Sequence, residues 1–249
     1  MKTGHYKTVL KSMRLPFLVL TPVSILLGVA TAIASSAEIS LLNVFLVLVG
    51  GLMAHISVNA FNEYYDFKTG LDAKTIKTPF SGGSGGLIDD PGAAMPVFYV
   101  AVASLALTML IGCYFMFSLG SSILPLGVLG VLTVVTYTQW LNQRPFLCLI
   151  APGLGFGILM VVGTHWVLTG EYSMSVFWVS LVPFFLVNNL LLLNQFPDIE
   201  ADKSMGRRHF PIIYGLNTSI RLYAGFAIAA CGVVIIGILS GILPLLSAI

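Results

Sequence analysis

Long runs of apolar residues, joined mostly by short connections, constrain this chain more than any other feature. The runs lie near 15–34, 41–61, 96–118, 121–138, 146–169, 174–195 and 218–240. About 20 apolar residues cross the hydrocarbon core as a helix. Lipid offers the backbone no hydrogen bonds, so each run must satisfy its own amides. Charged residues make up 9% and hydrophobic residues 57%, where a soluble domain has roughly a quarter charged. The sequence predicts an all-α, polytopic transmembrane bundle of about seven spans, a single membrane-embedded domain over 1–249. The tail Ser240–Ile249 is too short for another crossing. The first run is too long for a secretion signal and lacks a small-residue cleavage site.

Orientation follows from the twelve Lys and Arg. Lys2, Lys7, Lys11 and Arg14 precede the first span; Lys68, Lys74 and Lys77 follow the second. Arg144 follows the fourth, and Lys203, Arg207, Arg208 and Arg221 lie at or before the seventh. All fall on the side that holds the N-terminus. The opposite connections, Ser35–Ser40, Ser118–Ser122 and Gly170–Ser173, have none. The positive-inside rule makes the basic side, and the N-terminus, cytoplasmic. Residues 1–14 read as a basic, partly apolar segment lying against anionic headgroups.

Two polar strings share one pattern: Asn62-Glu-Tyr-Tyr-Asp66 with Asp72, and Asn194-Gln-Phe-Pro-Asp198 with Asp202. Each ends an apolar run, where carboxylates are costly and point to function. Residues four apart share a helical face. That sets Asn62 with Asp66, and Asn194 with Asp198 and Asp202. Gly70 is expected to end the first helix and let Asp72 fold back. The acidic residues of both strings lie in the two long connections, 63–95 and 196–217, which hold eight of the ten acidic residues. The strings are 132 residues apart and each follows an even-numbered span, consistent with an old duplication.

Carboxylate and amide oxygens suit Mg²⁺, which keeps waters and takes substrate phosphates. Soft ligands are absent from the strings, which disfavours zinc and iron. The plain alternative, an acidic solvated loop, does not account for the matched Asn. Lys68, Lys74, Lys203, Arg207 and Arg208 supply cations for a diphosphate, or simply express topology. Tyr137 and Arg144 end the fourth span at the same mouth. Inside the spans, His55, Asn59, Asn188 and Asn189 are expected to face an inner cavity, with interhelical hydrogen bonding the simpler role for His55. The run Pro79–Gly86 is either an anion cradle of backbone N–H groups or a linker. Cys113, Cys148 and Cys231 read as buried small hydrophobes.

These strings resemble the two aspartate-rich motifs of the UbiA superfamily of intramembrane prenyltransferases. NEYYDFKTGLD is similar to the first motif, and NQFPDIEADKSMGRR to the second, including the Gly before a basic pair. Tyr137-Thr138 with Arg144, and Arg14-Leu15-Pro16 before the first span, fit the same family. The resemblance covers most of 10–240. The five residues between Asp66 and Asp72, with Lys68 and Gly70 among them, resemble the dihydroxynaphthoate branch of menaquinone synthesis. The chain departs from the family at Pro197, where relatives often carry Arg, and at His209, where they often carry Thr. It also has seven predicted spans where the family usually has nine, so the last two are expected to be missing.

The resemblance implies Mg²⁺-dependent transfer of a prenyl group from a polyprenyl diphosphate to an aromatic acceptor. Asn62, Asp66, Asp72, Asn194, Asp198 and Asp202 would hold two Mg²⁺ ions, directly or through water. Asn62, Lys68, Arg144, Asn194, Lys203, Arg207 and Arg208 would bind the diphosphate. Asp66, Asp72, Asp198, Asp202 and Tyr137 would be catalytic, Tyr137 by offering its π-face to an allylic cation. The base is open, with Asp72 the candidate. The implied partners are the polyprenyl diphosphate, the acceptor and the bilayer, with no nucleic acid. Other acceptors remain open: 4-hydroxybenzoate, homogentisate, chlorophyllide or a glycerol phosphate lipid. So do terpene cyclisation and ion-coupled transport, although transporter sites tend toward the bilayer midplane.

Overall fold

The computed structural model describes residues 3–75 and 83–248, and Lys77 and Pro79–Gly82 of the glycine-rich run lie outside them. In chain order the helices are α1 Thr3–Ser12, α2 Leu20–Ala34 behind a single turn Leu15–Val19, and α3 Leu41–Thr69. There follow α4 Gly86–Asp89, α5 Ala94–Leu119, α6 Leu124–Thr136, α7 Pro145–Gly153 and α8 Met160–Thr169. The last four are α9 Met174–Gln195, α10 Ile199–Ser204, α11 Phe210–Tyr214 and α12 Leu216–Leu239. No strand occurs among the described residues, as a bundle in lipid requires.

Six segments are long and apolar enough to cross a membrane by length and composition: Leu15–Ala34, Leu41–Thr69, Pro91–Leu119, Pro145–Thr169, Met174–Gln195 and Leu216–Leu239. The fourth predicted span, 121–138, is instead the shorter apolar helix Ser121–Thr136. Its α-helical part, α6, has 13 residues, about 20 Å at 1.5 Å per residue. The chain turns at 137–140, so Tyr137 and Thr138 leave the helix axis at the mouth. Leu41, Phe117 and Leu239 on the outside are each at least 80% exposed, as lipid-facing side chains would be.

Small residues set the closest approaches. Ala60 on α3 packs with Ala93, Ala94, Val97 and Ala101 around α5, and Ser57 Oγ donates to the Ala101 carbonyl at 2.8 Å. Such side chains let backbones in lipid approach and gain dispersion contact. On the other side, Gly153 and Gly157 press against α9. A Cβ at Gly153 would collide with the Phe184 carbonyl oxygen, and one at Gly157 would lie 2.6 Å from Phe184 N. Between α7 and α8 the helix widens into a π-turn over Leu154–Leu159, just after Pro152. Proline has no N–H for the ladder, and π-turns absorb such interruptions.

Two sequence expectations change here. Asn188 and Asn189 do not line the cavity: Asn188 Oδ1 accepts from Gly153 N at 2.7 Å, and Asn189 Nδ2 donates to the Tyr223 carbonyl at 2.9 Å. In lipid an amide finds its best partner on the neighbouring helix, so both hold α9 to α7 and α12. The N-terminal segment is also not merely a headgroup contact. α1 docks on the protein, with Thr8, Val9 and Ser12 buried. Lys11 Nζ lies 3.5 Å from Asp89, and His5 Nδ1 2.7 Å from Asp90. His55 fills both of its expected roles, sharing a hydrogen bond with Thr21 Oγ1 at 3.0 Å between α3 and α2 and lining the inner cavity.

Candidate active site at the mouth of the bundle

The first motif stays helical because α3 runs well past the apolar residues, to Thr69. Asn62 and Asp66 therefore project from consecutive turns, as expected. Gly70 then ends the helix at φ 79, a left-handed conformation that glycine adopts without steric cost. The Leu71 amide caps back onto the Asp66 carbonyl at 3.0 Å. That reversal buries Asp72. Gly83, also left-handed at φ 69, passes so close that a side chain there would meet Asp72 Oδ1 at 2.7 Å.

The second motif is not one continuous helical face. α9 stops at Gln195, and Pro197 cannot carry the ladder onward. Asp198 becomes the first residue before α10, at φ −95 and ψ 1. Asp202 N donates to the Asp198 carbonyl at 2.8 Å, so helical spacing survives from 198 to 202. It is lost between 194 and 198.

Arg207 ties the motifs together. One Nη pairs with Asp66 Oδ1 and the other lies 3.3 Å from Asp202 Oδ1. Burial alone would lower its pKa, but Asp66 and Asp202 outweigh that and raise it. Asp202 Oδ2 faces His209 Nδ1 at 2.8 Å. Burial opposes charge on His209, yet its hydrogen bonds to Asp202 and Cys148 lift its pKa to about 9. Both Asp202 oxygens are thus engaged by cations.

A second cation, Arg14, enters from the N-terminal arm. Its Nη2 donates to Asn62 Oδ1 at 3.1 Å and lies 3.7 Å from Glu63 Oε2. Glu63 is fully buried. It accepts from the Ser84 amide at 2.9 Å and from the Ser84 hydroxyl, anchoring the chain that runs past Asp72. Burial, with Glu63 and Asp66 nearby, pushes the Asp72 carboxyl up to about 7. Asp72 Oδ2 has no hydrogen-bond partner.

These groups line the polar end of a cavity of about 690 Å³. Asn62, Asp66, Asp72, Asn194, Asp198, Asp202, Arg14 and Arg207 line it there, and Tyr137 lines it too. Most of the remaining wall is apolar, formed by residues such as Val47, Leu105, Phe115, Leu126, Phe156 and Val167. Burial raises the Tyr137 pKa further, with Cys148 the next contributor, so its phenol stays neutral.

The five other expected cations do not line the cavity. Lys68, Arg144, Lys203 and Arg208 are exposed. Lys68 sits over the Tyr64 ring at 5.7 Å and Arg144 over the Trp140 ring at 5.3 Å. Lys74 is also exposed. Sequence reasoning overlooked Glu63 as a site residue and left Arg14 as an entry signal. A charged residue fully buried beside a motif is detectable only once packing is known. Cys148 is buried as expected, but against the site: it accepts from Gln195 Nε2 at 3.7 Å. Cys113 and Cys231, also expected to be buried, are exposed on the apolar helices.

The donor set fits Mg²⁺. It is composed of carboxylate and amide oxygens, and one buried carboxylate oxygen, Asp72 Oδ2, has no partner. Among the described residues no three His, Cys, Asp or Glu form a ready-made metal cage. Mg²⁺ does not need one, because it retains waters and shares phosphate oxygens.

A family model described as the UbiA prenyltransferase family matches residues 21–249. The 1,4-dihydroxy-2-naphthoate octaprenyltransferase of Bacillus subtilis (strain 168) is 32% identical over 217 residues, which are 85% of this chain and 68% of that protein. Two solved structures of a UbiA homolog from Archaeoglobus fulgidus, one bound to DMAPP and Mg²⁺ and one to GPP and Mg²⁺, share the fold. Each superposes with a TM-score of 0.69 at 16% identity, over 94% of this chain and 78% of that one.

Proposed function

The chain belongs to the UbiA prenyltransferase family and is a prenyltransferase, and we propose that it prenylates 1,4-dihydroxy-2-naphthoate from a polyprenyl diphosphate in an Mg²⁺-dependent reaction. The observation that carries this is Arg207 joined to Asp66 and Asp202 at the polar end of a mainly apolar cavity. A diphosphate head and a hydrocarbon tail need those two environments side by side. The naphthoate acceptor rests on the Bacillus subtilis relative and on the wide Asp66-to-Asp72 spacing.

Asp66, Asp72 and Asp198, with Asn62 and Asn194, would hold two Mg²⁺ ions. Bound there, Mg²⁺ neutralises the diphosphate and makes it a better leaving group. The Archaeoglobus fulgidus homologs bind prenyl diphosphates with Mg²⁺, which supports that pairing. Asp202 acts differently from the other carboxylates, because it orients Arg207 and His209. Arg14 and Arg207 stabilise charge as the allylic C–O bond breaks. Lys68, Arg144, Lys203 and Arg208 act from the rim, drawing the diphosphate in. The Tyr137 π-face stabilises the allylic cation, and the apolar wall keeps water from it. With the diphosphate gone as leaving group, the electron-rich ring of the acceptor attacks the cation and regains aromaticity by losing a proton, or carbon dioxide where the attacked carbon bears the carboxylate. The mouth faces the cytoplasm, by the placement of every Lys and Arg.

The test offers purified protein, Mg²⁺ and labelled geranyl diphosphate to 1,4-dihydroxy-2-naphthoate, 4-hydroxybenzoate and homogentisate. Prenylated naphthoate as the main product is expected. Preference for another ring would overturn the acceptor and leave the family chemistry standing.

A further inference from the structure

Besides the carboxylates, the cavity carries a second polar patch, and its unpaired atoms have no role in holding metal or diphosphate. Thr138 and Gln195 are 6% and 5% exposed. Thr138 Oγ1, Gln195 Oε1 and Asn142 Oδ1 are buried without a hydrogen-bond partner. All three residues line the cavity. A buried polar atom left unpaired costs about 1–3 kcal/mol, so three in one wall call for an occupant.

The patch is continuous. Asn142 Nδ2 donates to the Thr138 carbonyl, and the Asn142 carbonyl accepts from Arg208 N at 3.1 Å. His209 follows Arg208 in the chain and hydrogen bonds to Cys148. Cys148 Sγ in turn accepts from Gln195 Nε2. The Gln195 amide has one end on that sulfur and the other end free, whichever way it is turned. Tyr137 precedes Thr138 and interacts with Cys148, Arg207 and Asp66. It lines the same cavity as this patch and the carboxylates.

We infer that Thr138, Asn142 and Gln195 form the acceptor subsite and bind the ring hydroxyls of a dihydroxylated aromatic. Amide oxygens only accept, and a threonine hydroxyl both donates and accepts. Phenolic O–H groups are donors and complement the two amide oxygens; a diphosphate, which only accepts, could pair with the Thr138 hydroxyl alone. Bound there, the ring lies next to Tyr137 in the sequence-adjacent wall of the cavity, where it can attack an allylic cation held at the Tyr137 face. This rests on the aromatic acceptor proposed above.

The test measures steady-state kinetics of the full chain in nanodiscs, with geranyl diphosphate and Mg²⁺. Thr138→Val and Gln195→Leu should each raise KM for 1,4-dihydroxy-2-naphthoate about ten- to a hundredfold, with KM for geranyl diphosphate within about twofold. Thr138→Ser should restore most of the loss. With 1-hydroxy-2-naphthoate, which lacks one hydroxyl, at least one of the two penalties should collapse, which a misfolded site would not produce. Unchanged acceptor KM in both variants, or equal penalties on both substrates, would overturn the subsite while leaving the function intact. No turnover of any aromatic acceptor by the unmodified chain would overturn both readings.

Discussion

Arg207 reaches across 141 positions of sequence to pair with Asp66, while its other Nη stays 3.3 Å from Asp202. The pair is largely buried, with side-chain exposures of 15% for Arg207 and 8% for Asp66. Removing one partner of a buried pair typically costs 3–5 kcal/mol, because the other charge is left uncompensated. Arg207→Ala should therefore lower kcat/KM by at least about a hundredfold and reduce the yield of folded protein. Arg207→Lys should rescue folding more than activity, since an ammonium cannot fork between two carboxylates. Equal rescue of both in a turnover and detergent-stability assay would show that only charge matters.

Asp66→Ala and Asp198→Ala should abolish Mg²⁺-dependent transfer in membranes that still hold folded protein. Titrating Mg²⁺ against activity checks this. Near-normal turnover in either variant would sink the metal assignment.

The rim cations should differ from the inner ones. Arg144 is exposed and stacked on Trp140. Its replacement by Ala should raise KM for the prenyl diphosphate by less than about tenfold, in a salt-dependent way, as screened surface charges do. Arg14→Ala should have the larger effect, because Arg14 contacts Asn62 and lines the cavity. Binding isotherms at two salt concentrations separate the two cases.

Metal-free protein should lose stability as pH rises. Asp72 is pushed up to about 7 and His209 to about 9, both above their ordinary values of 3.8 and 6.5. A group whose folded pKa is raised binds its proton more tightly when folded. Its stabilising contribution is complete below the unfolded value and lost as pH passes the folded one. The Asp72 contribution should fade between about pH 4 and 7, and that of His209 between about 6.5 and 9. Thermal unfolding in detergent with a chelator should show Tm falling across this range. His209→Gln should flatten its upper part.

The contact of α7 with α9 should tolerate no side chain. Gly153→Ala forces a Cβ into the Phe184 carbonyl, and Gly157→Ala brings one to 2.6 Å of Phe184 N. Overpacking typically costs 1–3 kcal/mol. Each variant should lower Tm, and Gly155→Ala, with open space around it, should not.

Much of this was legible in the chain. Six of the seven apolar runs read as spans are helices long enough to cross a membrane, since length and hydropathy are local properties, and the fourth is a shorter helix. The pairing of Asn62 with Asp66 followed from helical spacing, and the end of α3 from Gly70. Where local rules failed, a specific residue intervened. Pro197 broke the face expected to join Asn194 to Asp198. Asn188 and Asn189 turned to neighbouring backbones, because partner choice in lipid depends on which helix is adjacent.

By itself the sequence determined that the chain is a membrane bundle with two acidic motifs, and it marked one basic face. Those follow from desolvation cost and charge placement, which need no coordinates. Only the tertiary structure decided which charges meet. Among the described Lys and Arg it chose Arg14 and Arg207 as the ones lining the cavity. It engaged both oxygens of Asp202 and left Asp72 Oδ2 unpaired. The physical reason is that electrostatic and hydrogen-bond energies fall off within a few ångströms. Their partners are fixed by packing between distant segments, which spacing along one helix does not encode.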